Sequence, residues 1–136
     1  MKFILALLLY MLISMAPTQA IAQSNNEGAR IEFEQQEYDF GVIDRKGKDR
    51  ECVFRFKNCG SEPLVILSAQ TSCSCLKVEF SRKPIAVGAT SELRLKLESR
   101  KMDKGVFHRV VQIVSNSTKG TEILTIKGRC EEQETK

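Results

Sequence analysis

The sequence holds no tryptophan and a single histidine, His108, among 136 residues. The first absence removes the core pin of antibody domains, and the second leaves little for acid–base catalysis. There is no G-x-S-x-G elbow and no phosphate-cradling glycine loop, and the acidic residues stand singly among bases. After residue 22 no segment sustains a helical period, no repeat recurs at a fixed spacing, and no thioredoxin-like βαβ pattern surrounds any cysteine pair. These absences exclude the familiar catalytic constellations, and the chain is read as no enzyme.

What is present begins with "MKFILALLLYMLISMAPTQAIAQ", in which one lysine precedes an apolar run from Phe3 to Ile13 and a small-residue stretch ends Ala20, Ile21, Ala22. This is the three-part build of a secretory signal peptide, residues 1–22, cleaved before Gln23. The apolar run is short for a bilayer span, so no stable membrane insertion is expected after cleavage, and the exported form is expected in the periplasm or secreted. No cysteine follows the site to carry a lipid. Loss of Lys2 lowers the formal charge from +4 to +3, too little to argue for nucleic acid. The remaining 114 residues suffice for one domain that buries about two-thirds of its unfolded surface. Residues 23–29 read as a flexible entry, 30–130 as the folded domain and 131–136 as a charged tail.

Within the domain nearly everything reads as strand. "SELRLKLES" sets Leu93, Leu95 and Leu97 against Arg94, Lys96 and Glu98, the period of two of a half-buried strand. "CVFRFKN" does the same with Cys52, Phe54 and Phe56, and "TEILTIKGRC" places Leu124, Ile126 and Cys130 in one phase. Further segments are "RIEFE", "YDFGVI", "PLVILSA", "LKVEF", "KPIAV" and "VFHRVVQIVS". Seven to nine short strands predict an all-β, immunoglobulin-like sandwich of two antiparallel sheets. The tripeptide "NST" at 116–118 fits a glycosylation acceptor and is read as a turn.

The five cysteines all lie in the exported part, where disulfides persist. Strand alternation sends Cys52, Cys73, Cys75 and Cys130 to one pole and leaves Cys59 alone at the other, roughly 17–20 Å away. Cys59 is therefore expected to be unpaired within the chain. At the four-thiol pole, "DRKGKDR" (44–50) and "SRKMDKG" (99–105) each carry a net +2, a setting that would depress thiol pKa values. For the C-x-C of Cys73 and Cys75 three uses are open. A soft ion such as copper(I) could take both thiolates with Met102 or His108, although the spacing suits structural zinc poorly and His108 reads as outward-facing. A bond between the two thiols would require a turn, since two extended residues span close to the disulfide limit. The most economical use ties each thiol to another strand, with Cys52 and Cys130 as partners. Closing a loop of over 50 residues in this way would stabilise by about 4 kcal/mol.

"FRFKNCGSEPLVILSAQTSCSCLKVEF", "PIAVGATSELRLKL", "KGVFHRVVQIVSN" and "LTIKG" together resemble the secreted bacterial family called domain of unknown function 1573. They also resemble, more distantly, sperm-protein and hydin-type immunoglobulin-like modules. The similarity runs over about residues 31–129 and centres on Asn58-x-Gly60, the C-x-C, the Pro84–Gly88 turn and Gly105-x-Phe107. It implies a small exported β-sandwich of no established activity, whose C-x-C commonly carries glycine where Ser74 stands here. The expectation is a module that binds a protein or cell-envelope component without a cofactor. The alternative is a copper(I) or thiol-redox accessory protein.

Overall fold

A computed structural model describes residues 27–134. The expected signal segment, 1–22, lies outside the described residues, and among the latter no helix is long and apolar enough to cross a membrane. Eight strands form in chain order: β1 (Ile31–Phe33), β2 (Glu37–Asp44), β3 (Arg50–Asn58), β4 (Ile66–Thr71), β5 (Leu76–Glu79), β6 (Thr90–Leu97), β7 (Gly105–Ser115) and β8 (Thr121–Glu131). They make two four-stranded sheets, β1-β3-β6-β5 and β2-β8-β7-β4, and so an immunoglobulin-like sandwich.

The period-two pattern places the core as read. Phe54, Leu93, Leu95 and Leu97 of one sheet, and Ile113, Leu124 and Ile126 of the other, are all 0 % exposed. Burial of such side chains contributes about 1.5–3 kcal/mol each before entropy is counted. "KPIAV" forms no strand. Ile85 instead exchanges a pair of backbone hydrogen bonds with Leu64 (2.7 and 2.9 Å).

One sheet departs from the antiparallel expectation. β2 runs parallel to β8, with Glu37 opposite Thr125 and Ile43 opposite Cys130. Alternation assigns a strand its faces but not its neighbour, and β2 reaches β3 by crossing from one sheet to the other, so it lies beside the last strand in the same direction. A bulge between Asp39 and Val42 accommodates this. At its centre Gly41 has φ +67° and donates its N–H to Asp39 Oδ1 (2.8 Å), a conformation glycine adopts at no steric cost. Opposite it, a Cβ on Gly128 would lie 2.6 Å from Gly41 O and 2.7 Å from the Phe107 ring.

Both chain ends of the domain are more ordered than their composition implies. Ala29 is buried and bridges Ser117, and Gly28 accepts the Ser61 N–H at 2.9 Å, so the segment read as flexible enters the fold by Gly28. At the other end β8 continues to Glu131, and Glu132 binds Lys46 and Lys104, both at 2.8 Å.

Candidate functional site

Residues 72–75 carry the chain from β4 across to β5, from one sheet to the other. The Cys73 N–H donates to Thr71 Oγ1 (3.3 Å), the Leu76 N–H to Cys73 O (3.2 Å), and the Glu98 N–H to Cys75 O (2.8 Å). These bonds fold the C-x-C into a turn with its Cα atoms 5.1 Å apart, and Cys73 and Cys75 form a disulfide across Ser74. The expected crosslinks to other strands are not made: Cys52, Cys59 and Cys130 are free. The reason is local, because the turn brings each of the two thiols closest to the other.

A bond that encloses one residue does little for stability. Loop-closure entropy alone gives about 1.6 kcal/mol for so small a ring, against about 4 kcal/mol for the long loop first expected. The double change Cys73→Ser, Cys75→Ser should therefore lower unfolding free energy by no more than about 1.6 kcal/mol. Urea melts of both proteins measure this, and a loss of several kcal/mol would mean that the bridge holds the fold.

The other thiols sit apart from this turn. Cys52 on β3 and Cys130 on β8 are 5 % and 1 % exposed. Burial pushes the Cys52 thiol up to about 12 and raises that of Cys130 as well, with Arg45 opposing only in part. The basic pole thus fails to depress either pKa, since desolvation of the thiolate outweighs the nearby cations. Cys59 follows β3 at the opposite end, half-buried, with Sγ 3.8 Å from Arg30 O. Nor is the copper-ligand set of Cys73, Cys75, Met102 and His108 assembled. The disulfide occupies both sulfurs, Met102 is packed in the core at 2 % exposed, and His108 faces solvent opposite Lys127. Among the described residues no three His, Cys, Asp or Glu side chains gather as a metal site.

Two carboxylates that sequence reading passed over organise the charge at this pole. Glu98 pairs with Lys101 (2.5 Å) and Lys77 (2.7 Å). Glu132 pairs with Lys104 and Lys46, with Arg45 at 3.8 Å. Hydrogen bonds from Lys101 and then Lys77 hold the Glu98 carboxyl down at about 2, and those from Lys104 and then Lys46 do the same for Glu132. A depressed folded-state pKa adds stability that is complete above the ordinary value of 4.5 and is lost as pH falls through about 2. Melting temperature should therefore decline across that window. Glu98→Gln with Glu132→Gln should flatten the decline, and an unchanged slope in that variant would refute the assignment. Salt should blunt the effect, because the lysines are largely solvated.

Next to these pairs, Arg45, Lys46 and Arg100 line an open recess with Glu132, and Lys48 extends it beside Asp49. Arg100 and Lys48 have no ion-pair partner among the described residues. The recess shares its end of the sandwich with the disulfide, since the turn carrying Arg100 follows Glu98, whose N–H binds Cys75 O. At the other end, Asn116 of the "NST" tripeptide accepts the Val65 N–H (2.8 Å) and donates to Pro63 O (3.0 Å). Both ends of its amide are thus engaged in pinning β7 to β4.

Comparison with solved structures places this architecture among known sandwiches. The chain is 18% identical to a protein of unknown function from Porphyromonas gingivalis W83, with a TM-score of 0.68, over 82% of this chain and 51% of that one. It thus spans about half the length of that protein. The human CEP192 ASH/PapD-like domain 7 is 10% identical with a TM-score of 0.64, over 79% of this chain and 89% of that domain. The VesB protease of Vibrio cholerae is 10% identical with a TM-score of 0.54, over 76% of this chain and 31% of that protease. At such identities the likeness is one of fold. No curated protein matches the sequence. Residues 31–130, from the start of β1 to the free thiol at the end of β8, match one family throughout, and the chain belongs to that family, described as Protein of unknown function (DUF1573).

Proposed function

We propose that the chain is an exported, non-enzymatic immunoglobulin-like module that binds an acidic segment of a protein or other cell-envelope component at its basic pole. The observation that carries this reading is the recess where Arg45, Lys46 and Arg100 meet a single carboxylate, Glu132, while Arg100 and Lys48 have no ion-pair partner among the described residues. Such a surface attracts acidic groups and fixes their orientation. A bare sheet edge is the weaker candidate, since Arg82 Nη1 caps Leu67 O at 2.9 Å on β4 and blunts strand addition there.

The test uses immobilised exported protein and an envelope extract, with Lys48→Glu, Arg100→Glu as the comparator, because neither residue supports a fold contact through its charge. A component held at low ionic strength, released by salt and not held by the variant supports the reading. Equal retention by both proteins removes the pole as the binding surface. N-terminal sequencing of the same preparation should begin at Gln23, and an intact Met1 would overturn export.

A further inference from the structure

The two sulfurs of the C-x-C bridge differ in access. Cys73 is half-buried and Cys75 is 0 % exposed, so a group arriving from solvent meets Cys73. The turn does not depend on the bond, because Thr71, Leu76 and Glu98 hold it through hydrogen bonds that involve no sulfur. The Cys75 N–H points at Cys73 Sγ at 3.3 Å, a contact that strengthens when the sulfur carries negative charge. A bridge that contributes little to the fold, opens on one side and has a donor aimed at the exposed sulfur is built for exchange.

We propose that Cys73–Cys75 is a thiol–disulfide exchange site that oxidises accessible thiols stoichiometrically, one disulfide per protein molecule and without catalytic turnover, in addition to the binding role proposed above. In the first step a thiolate attacks Cys73 Sγ. The new sulfur–sulfur bond forms as the Cys73–Cys75 bond breaks, and the electron pair leaves on Cys75, which takes up a proton. In the second step another thiolate attacks the incoming sulfur, and the pair leaves on Cys73 beneath the Cys75 N–H before protonation. Two external thiols become one disulfide, and the protein's disulfide becomes two thiols, so no further oxidant enters. Cys52 and Cys130 are shielded by burial, and Cys59 stands at the far end of the sandwich, so none competes for the intermediate.

The oxidised protein is mixed with glutathione in one arm and with a reduced two-cysteine peptide in the other, then acid-quenched, alkylated and mapped by mass. Cys73 and Cys75 should become reduced while the near-ultraviolet circular dichroism stays native, and thiols lost from the peptide should equal thiols gained by the protein. Faster reaction with the peptide identifies a polypeptide source, and faster reaction with glutathione a small-molecule one. In Cys75→Ser, the Cys73 thiolate should attack glutathione disulfide, forming a mixed disulfide and releasing one glutathione, at least about tenfold faster than Cys75 does in Cys73→Ser, because access and thiolate stabilisation both favour position 73. The proposal is overturned if the wild-type bridge resists reduction until the protein unfolds, or if the two positions react at equal rates. The wild-type arm needs no variant, so a serine variant that misfolds does not spare the idea.

Discussion

Asn58→Asp is expected to destabilise the protein by about 3–5 kcal/mol at neutral pH, the cost of a buried charge without a partner. Asn58 ends β3 at 0 % exposed, and its amide is fully committed. Nδ2 donates to Glu62 O (2.8 Å) and Ile85 O (3.0 Å), and Oδ1 accepts the Gly60 N–H (3.1 Å). Aspartate has no donor for the two carbonyls and meets them with negative charge. Desolvation and those carbonyls would raise its folded-state pKa, so its penalty is full above that pKa and lessens as pH falls through it. That trend opposes the acid loss expected from Glu98 and Glu132. Asn58→Ala removes the same hydrogen bonds without adding charge and should show a smaller, pH-independent loss relative to wild type. Urea unfolding of all three proteins at neutral and acid pH separates these cases, and equal losses for the two variants at every pH would sink the argument.

Gly60→Ala should cost about 2–3 kcal/mol, at the upper end for an overpacked site. A Cβ there would strike Gly28 O and lie 2.5 Å from Arg30 N and 2.8 Å from Ala29 C. All three atoms are backbone, so no side chain can swing aside. Relief requires residues 28–30 to move, which breaks the bonds from Ser61 N to Gly28 O and from Cys59 N to Arg30 O, both 2.9 Å. Hydrogen exchange should therefore quicken at the Ser61 and Cys59 amides as thermal stability drops. Wild-type protection at both amides in the variant would show that the entry segment is not held as described.

Much of this frame was legible in the chain. Leu93, Leu95 and Leu97, and equally Phe54 and Phe56, announce their face by alternation alone, and the eight strands fall where such runs occur. Direction was less visible, because the parallel pairing of β2 with β8 depends on a partner far along the chain that no local pattern names. The C-x-C turn also escaped. "TSCSC" lacks the glycine or proline that marks most turns, and the bend is imposed by Thr71 and by Glu98, just past the end of β6. Glu132 read as part of a polar tail, since its lysine partners are distant in sequence. Asn58 was noted only as part of a resemblance, although an asparagine at the end of an apolar-alternating strand, two residues before a glycine, is itself a signal for a side chain that closes a turn on the backbone.

The parallel β2–β8 pair also sets an order of assembly. A chain that emerges N-terminus first presents β2 long before β8 exists, and among the described residues β2 has no other strand beside it. Its sheet is completed only when the last strand arrives, so the fold closes late and through contacts between distant parts of the chain. Such topologies fold slowly. Until closure the exposed edge of β8 and the unpaired β2 remain free to pair with other chains, the period of greatest aggregation risk.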